Sequence, residues 1–214
     1  MQPVVIIDHG MGNARSVLNA CARLGVDARV TADIPTIRNA PGIILPGVGA
    51  FAEAMDRLNR LGLTEILTDE VMTKGKPYLG ICLGMQLLFP AGTEFGSSSG
   101  LGWLPGKVLR LDELAGFPIE DPPRLPHIGW NSVVTPRSGT MLGEAGLEED
   151  FYFVHTYATA PSDDAVVSGY SEYGVKFAAA LETNNISAVQ FHPEKSHKAG
   201  LKLLSNWLRS VAAC

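Results

Sequence analysis

Apolar residues fall along the first half of the chain in two alternating rhythms. Residues 4–7, 43–45 and 78–81 are short apolar runs bounded by Gly or Pro, the form of strands buried on both faces of a parallel sheet. Between them, residues 14–24 place Val17, Leu18, Cys21 and Leu24 at helical spacing and stop at Gly25. Residues 51–61 form a second helical stretch that stops at Gly62. This β-α-β rhythm predicts an α/β architecture, a mostly parallel sheet flanked by helices, with functional loops at the carboxyl ends of its strands.

The second half has a different texture. Residues 117–126 are rich in proline, and the apolar runs 151–154, 165–170 and 188–191 follow one another without long helices between them. A mixed or antiparallel extension of the sheet is expected. Residues 200–211 read as a closing helix with Leu201, Leu204, Trp207 and Leu208 on one face. The Ser/Gly-rich stretch 93–100 is expected to be a surface loop, too short to separate two cores, and no internal repeat is visible. Residues 1–214 are therefore read as one domain.

Composition narrows the class. A chain of 214 residues can bury roughly 70% of its unfolded surface. With 46% hydrophobic and 18% charged residues it is globular rather than disordered. No apolar run approaches the ~20 residues of a membrane span, and the first residues lack the pattern of a secretory signal, so a cytoplasmic protein is expected. A net charge of -5 provides no basic footprint for nucleic acid or anionic lipid. Cys21, Cys82 and Cys214 are odd in number and contain no CxxC pair, so neither a disulfide framework nor a cysteine zinc site is indicated.

Cys82 has the richest setting of the three. Gly80-Ile81-Cys82-Leu83-Gly84 follows a strand pattern and precedes a helical one, in the manner of a nucleophile elbow with cysteine for serine. Such a turn needs small flanking residues, and both are glycine. Taken alone, the motif fits a small buried thiol at a strand end equally well. Cys21, on the apolar stripe of its helix, and Cys214, the last residue, are read as structural.

A cysteine nucleophile needs a base, and the base an orienting carboxylate. The apolar run 186–191 delivers His192 to the end of a strand, and Glu194 follows two residues later. Extended His192-Pro193-Glu194 would send both side chains to one side, and Pro193 biases His192 towards that conformation. An isolated His-Pro-Glu is more often a surface turn; the cysteine elbow reverses that preference. A metal set of His192, His197 and His155 lacks a shared helical face and any supporting shell. For the tetrahedral oxyanion, the Leu83 N–H is a natural donor, and Pro46-Gly47-Val48-Gly49 at the end of the third strand could present another.

Gly80-Ile81-Cys82-Leu83-Gly84-Met85-Gln86 and Phe191-His192-Pro193-Glu194-Lys195-Ser196 together resemble the class I (triad) glutamine amidotransferases, with their flavodoxin-like α/β fold. Further segments, Ile7-Asp8-His9-Gly10-Met11-Gly12-Asn13, Leu45-Pro46-Gly47-Val48-Gly49-Ala50-Phe51, Pro126-His127-Ile128-Gly129-Trp130-Asn131 and Phe153-Val154-His155-Thr156-Tyr157, look like the glutaminase subunits of imidazole glycerol phosphate synthases. The resemblance spans nearly the whole chain. It implies a triad of Cys82, His192 and Glu194, oxyanion donors at Val48, Gly49 and Leu83, and a glutamine pocket of Gly49, Gln86, Glu94, Thr156 and Tyr157. It also implies a (β/α)8 cyclase partner in a heterodimer, receiving ammonia and touching Asn13, Trp130 and Lys195. The chemistry requires no metal or cofactor. Position 9 is His where the family commonly has Tyr, Ile128 replaces a usual Met, and the 93–100 loop is poor in acidic residues. Three rival readings share parts of this pattern: a glutaminase subunit of another synthase such as anthranilate synthase, a regulatory α/β scaffold, and a cysteine hydrolase of peptides or small amides.

Overall fold

The computed structural model describes residues 2–94 and 96–212; Cys214 lies outside them. In chain order the strands are β1 (Val4–Ile7), β2 (Ala28–Thr31), β3 (Ile43–Gly47), β4 (Tyr78–Cys82), β5 (Ala91–Gly92), β6 (Ser98–Ser99) and β7 (Gly106–Arg110), then β8 (His127–Val134), β9 (Glu148–His155), β10 (Tyr157–Pro161), β11 (Val167–Tyr173), β12 (Val175–Thr183) and β13 (Ile186–Val189). The helices are α1 (Ala14–Arg23), α2 (Ile34–Asn39), α3 (Phe51–Arg60), α4 (Leu63–Thr68), α5 (Leu83–Gln86) and α6 (His197–Ala212).

Nine strands form the main sheet in the order β2-β1-β3-β4-β13-β12-β11-β8-β9. From β2 to β13 every pairing is parallel, and from β13 to β9 every pairing is antiparallel. The expected parallel core with an antiparallel extension is what forms. Side-chain alternation explains why the central runs are apolar throughout. Val5, Ile7, Ile43, Leu45 and Tyr78 enter a core shared with α3 and α4, while Val4, Ile6, Ile44, Leu79 and Ile81 enter the core under α1 and α6. At ~25 cal/mol per Å² of apolar surface removed from water, two such layers dominate the stabilisation of this fold.

Several boundaries differ from the sequence expectation. α3 stops before Gly62 as expected, but Gly62, at φ +66°, then redirects the chain into a second helix, α4, that the pattern did not suggest. The strand expected at residues 165–170 is Val167–Tyr173, since Ala165 and Val166 belong to a 3-10 turn capped by Asp163. The closing helix starts three residues earlier than expected, at His197. The 93–100 stretch is not wholly loop. Its Ser98 and Ser99 form β6, which pairs with β5, and the two join β7 and β10 in a four-stranded sheet ordered β10-β7-β5-β6.

Candidate active site

The parallel register sets Gly47 opposite Cys82, so the β3 terminus and the β4 terminus open side by side. Cys82 sits at φ +54°, ψ -106°, a conformation that costs a non-glycine residue of order 1–3 kcal/mol and that the surrounding structure must hold. The residues two positions to either side are glycines for reasons of contact. A Cβ on Gly80 would lie 2.6 Å from the Gly84 carbonyl oxygen, and one on Gly84 would overlap the Leu45 carbonyl oxygen. The helix behind the elbow, α5, is four residues long and begins directly at Leu83.

His192 arrives from the end of β13 and is 1% exposed. Its Nδ1 is 2.9 Å from Glu194 Oε1, a carboxylate whose side chain is itself 1% exposed. This pairing does not come from an extended His-Pro-Glu. Residues Pro193–Lys195 form a 3-10 turn, in which Lys195 N–H donates to the His192 carbonyl at 3.0 Å. The turn folds the carboxylate back under the ring. Ser196, 1% exposed, completes the clamp: its hydroxyl donates to the His192 carbonyl at 2.6 Å and accepts from Tyr152 N–H at 3.0 Å.

Burial by itself would lower the His192 pKa, but the neighbouring Cys82 and the Glu194 carboxylate outweigh it and hold the imidazole at about 9. The ring nitrogen Nε2 is buried and makes no hydrogen bond, so it stands near the thiol without bonding to it. The Cys82 sulfur has other neighbours: Val154 O at 4.0 Å and Gln190 Nε2 at 3.6 Å.

A cleft of about 450 Å³ opens over this sulfur, and Val48, Gly49, Cys82, Leu83, Gln86, Glu94, Thr156 and Tyr157 all line it. The structure thus brings together every residue expected of the oxyanion and glutamine sites. Glu94 is anchored there through its Oε2, which accepts from Phe51 N–H at 2.9 Å at the start of α3. Gln86 Nε2 donates to Tyr157 O at 2.9 Å and to Gln190 Oε1 at 3.0 Å. The Val48 N–H, expected to face the cleft, here donates to Met11 O at 3.3 Å. Gly49 has φ +98°, and a Cβ there would meet Met11 Cε at 2.8 Å. His9 holds the same segment through a 2.8 Å bond to Pro46 O, which makes Nε2 the proton-bearing nitrogen.

The residues expected at a partner surface lie outside the cleft. Trp130 is 48% exposed and stacks on His197 at 5.0 Å, beside Ile128 at 58% exposure two positions earlier on β8. Lys195 is exposed, its Nζ 5.8 Å from the centre of the Tyr152 ring. Asn13 is half-buried at the start of α1 and makes no side-chain cap. His155 is paired through Nε2 with His127 Nδ1 at 3.0 Å, not with His192 and His197, and among the described residues no cluster of three or more His, Cys, Asp or Glu could hold a metal.

Met11 and Gln190 were not singled out by sequence reasoning. The only signal for Gln190 is a polar residue inside the apolar run before His192, and it is fully buried.

These histidines make stability depend on pH in two opposite ways. His192 is raised from 6.5 to about 9, so its contribution is complete below pH 6.5 and is lost as pH rises through about 9. His127 and His155 are lowered by burial to about 4 and about 3; the unfolded chain takes up protons first, and stability falls as pH drops below 6.5. Thermal unfolding is expected to be most resistant near neutrality. Cys82→Ala should flatten the alkaline limb alone, and an unchanged alkaline limb would contradict the coupling of Cys82 to His192.

A buried thiol on a strained elbow, a carboxylate-held imidazole behind it and a polar cleft above it, set on this parallel sheet, define the class. The model of the family described as glutamine amidotransferase class-I matches residues 5–211, and the chain belongs to that family. Within it, a protein of Moorella thermoacetica named imidazole glycerol phosphate synthase subunit HisH is 48% identical, the match covering 97% of this chain and 94% of that one. A Methanothermobacter thermautotrophicus protein of the same name is 44% identical, covering 98% and 100%. The solved structure of PurLQS from Thermotoga maritima shares the fold at a TM-score of 0.72 and 19% identity, covering 98% of this chain and 99% of that one. Among the described residues no helix is long and apolar enough to cross a membrane.

Proposed function

We propose that this chain is the glutaminase subunit of an imidazole glycerol phosphate synthase, hydrolysing glutamine and handing ammonia to a partner subunit. The observation that carries the reading is the cleft itself: one 450 Å³ opening has Cys82 at its floor, Gln86, Glu94, Thr156 and Tyr157 on its walls, and the Glu194-held His192 beside the sulfur.

In the proposed reaction the Cys82 thiolate adds to the carboxamide carbon of glutamine, and the carbonyl oxygen becomes an oxyanion facing the N–H groups of Leu83 and of the Val48-Gly49 segment. The C–N bond then breaks as His192 gives its Nε2 proton to the leaving nitrogen, releasing ammonia. Water attacks the γ-glutamyl thioester while His192 takes its proton, and the C–S bond breaks to return thiolate and glutamate. Glu194 keeps the proton-bearing Nδ1 turned inward through both halves. No step calls on a metal or an organic cofactor.

The partner is a cyclase of (β/α)8 architecture that takes the ammonia to form imidazole glycerol phosphate and aminoimidazole carboxamide ribotide, in the cytoplasm. It would dock on the surface that carries Asn13, Trp130 and Lys195, where exposed Ile128 and Trp130 supply an apolar centre. Because the Val48 N–H is engaged by Met11 O, the uncoupled chain should be slow. Ammonia release from glutamine is expected to rise at least tenfold, roughly 1.4 kcal/mol of barrier, when the cognate cyclase and its nucleotide ligand are added. Equal rates with and without the cyclase would point instead to a free-standing hydrolase.

A further inference from the structure

One backbone carbonyl decides the orientation of a chain of side-chain amides that ends on the sulfur. Tyr157 O can only accept, so the Gln86 atom 2.9 Å from it must be Nε2. His155 Nδ1 lies 2.9 Å from the same oxygen and must likewise be the donor. The Gln86 Nε2 is then also the donor to the Gln190 atom 3.0 Å away, which is therefore Oε1. That assignment turns the Gln190 Nε2 towards Cys82 Sγ, at 3.6 Å. Gln190 is 0% exposed, so its amide is shielded from water, while Gln86 and Tyr157 stand on the cleft wall.

The sulfur's other hydrogen-bond contact is Val154 O at 4.0 Å, which can only accept. A neutral thiol satisfies both, donating to Val154 O and accepting from Gln190. Once the proton has left, the thiolate faces a carbonyl dipole of the wrong sign at Val154 and keeps Gln190 as its donor. Rotation about the Cα–Cβ bond of Cys82 would then exchange Val154 for the unpartnered His192 Nε2.

We infer that Gln190 is a positioning residue of the reaction: its Nε2–H donates to Cys82 Sγ and holds the thiolate for attack, with Gln86 as the strut that keeps the amide turned that way. The inference rests on the reading of Cys82 as nucleophile. Gln190 acts on the chemical step rather than on glutamine, since it does not line the cleft whereas Gln86 does.

The test separates binding from chemistry with diazo-oxonorleucine, an alkylating glutamine analogue. The full chain, Gln190→Met and Gln190→Glu are compared by inactivation kinetics, and the adduct is located by mass spectrometry. Methionine keeps the volume and removes the donor; glutamate keeps an acceptor for Gln86 and sets an oxygen against the sulfur. The maximal inactivation rate at Cys82 should fall about tenfold in Gln190→Met and further in Gln190→Glu, the loss expected of one charge-assisted hydrogen bond. The half-saturating concentration of the analogue should stay within about twofold, as for an interaction that acts on the step and not on binding.

A maximal rate that is unchanged or higher in both variants overturns the inference, the latter showing that Gln190 restrains an idle thiol. A parallel loss of rate and affinity also overturns it, by making Gln190 a packing residue. If Gln190→Met does not fold, Gln190→Glu decides alone by the same criterion. Failure of the parent chain to label at Cys82 would instead bring down the nucleophile reading on which the inference stands.

Discussion

Glutamine hydrolysis by a Glu194→Gln variant, assayed with the partner present, is expected to fall by about 10³- to 10⁴-fold relative to the parent, close to the zero set by Cys82→Ala. The substitution keeps the shape of the side chain and removes its charge. Glu194 Oε1 lies 2.9 Å from His192 Nδ1, and both side chains are almost wholly buried, so no solvent replaces what is lost. An amide at that position can present its NH₂ to Nδ1, which moves the ring proton to Nε2 and leaves no lone pair there to accept from the sulfur. It also withdraws one of the two influences that hold His192 at about 9. The effect should appear in kcat, with the KM for glutamine little changed, because Glu194 does not line the cleft. Retention of more than about a tenth of the parental kcat would mean that the carboxylate is only a structural prop.

Gly84→Ala is expected to be among the most damaging single methyls that can be added near the site. A Cβ there would overlap the Leu45 carbonyl oxygen on β3, and the obstacle is backbone on both sides, so no flexible side chain can give way. Either α5 lifts from β3 or the elbow opens. Overpacking of this kind costs ~3 kcal/mol or more, which for a chain of this size lowers the unfolding midpoint by roughly 10 °C. Gly75→Ala makes the comparison sharp: that glycine has φ +71° but nothing within 4 Å of a Cβ, so only backbone strain of ~1 kcal/mol is expected. Equal unfolding midpoints for the two variants would show that the elbow tolerates a side chain at position 84.

How much of the site was legible in the sequence differs from residue to residue. Gly80, Cys82 and Gly84 could be read directly because the elbow is local: five consecutive residues contain both the reactive atom and the glycines that the close approach to Gly84 and Leu45 requires. His192 and Glu194 were also legible as a pair, although by the wrong geometry. Two-residue spacing suggested an extended segment, whereas the 3-10 turn at Pro193–Lys195 brings them together, and Ser196 holds that turn through a tertiary bond to β9. Glu94 had the least support in the sequence, since the 93–100 loop is poor in acidic residues; its place in the cleft comes from accepting the Phe51 N–H across 43 residues of sequence.

By itself, the sequence determined the architecture and pointed to the proposed trio of Cys82, His192 and Glu194. Strand runs apolar on both faces require a sheet covered on both sides, and a glycine-flanked cysteine followed far along the chain by His-Pro-Glu states its own acid-base needs. Only the tertiary structure decided which atoms meet. The β3 to β4 register put Gly47 beside Cys82, the Met11 carbonyl took the Val48 N–H, and Tyr157 O set the direction of the amide chain through Gln86 and Gln190 to the sulfur. The reason is physical. Periodicity and turn chemistry act over a few residues, whereas a hydrogen bond between positions 82 and 190 depends on how whole strands are ordered, and no local pattern encodes that distance.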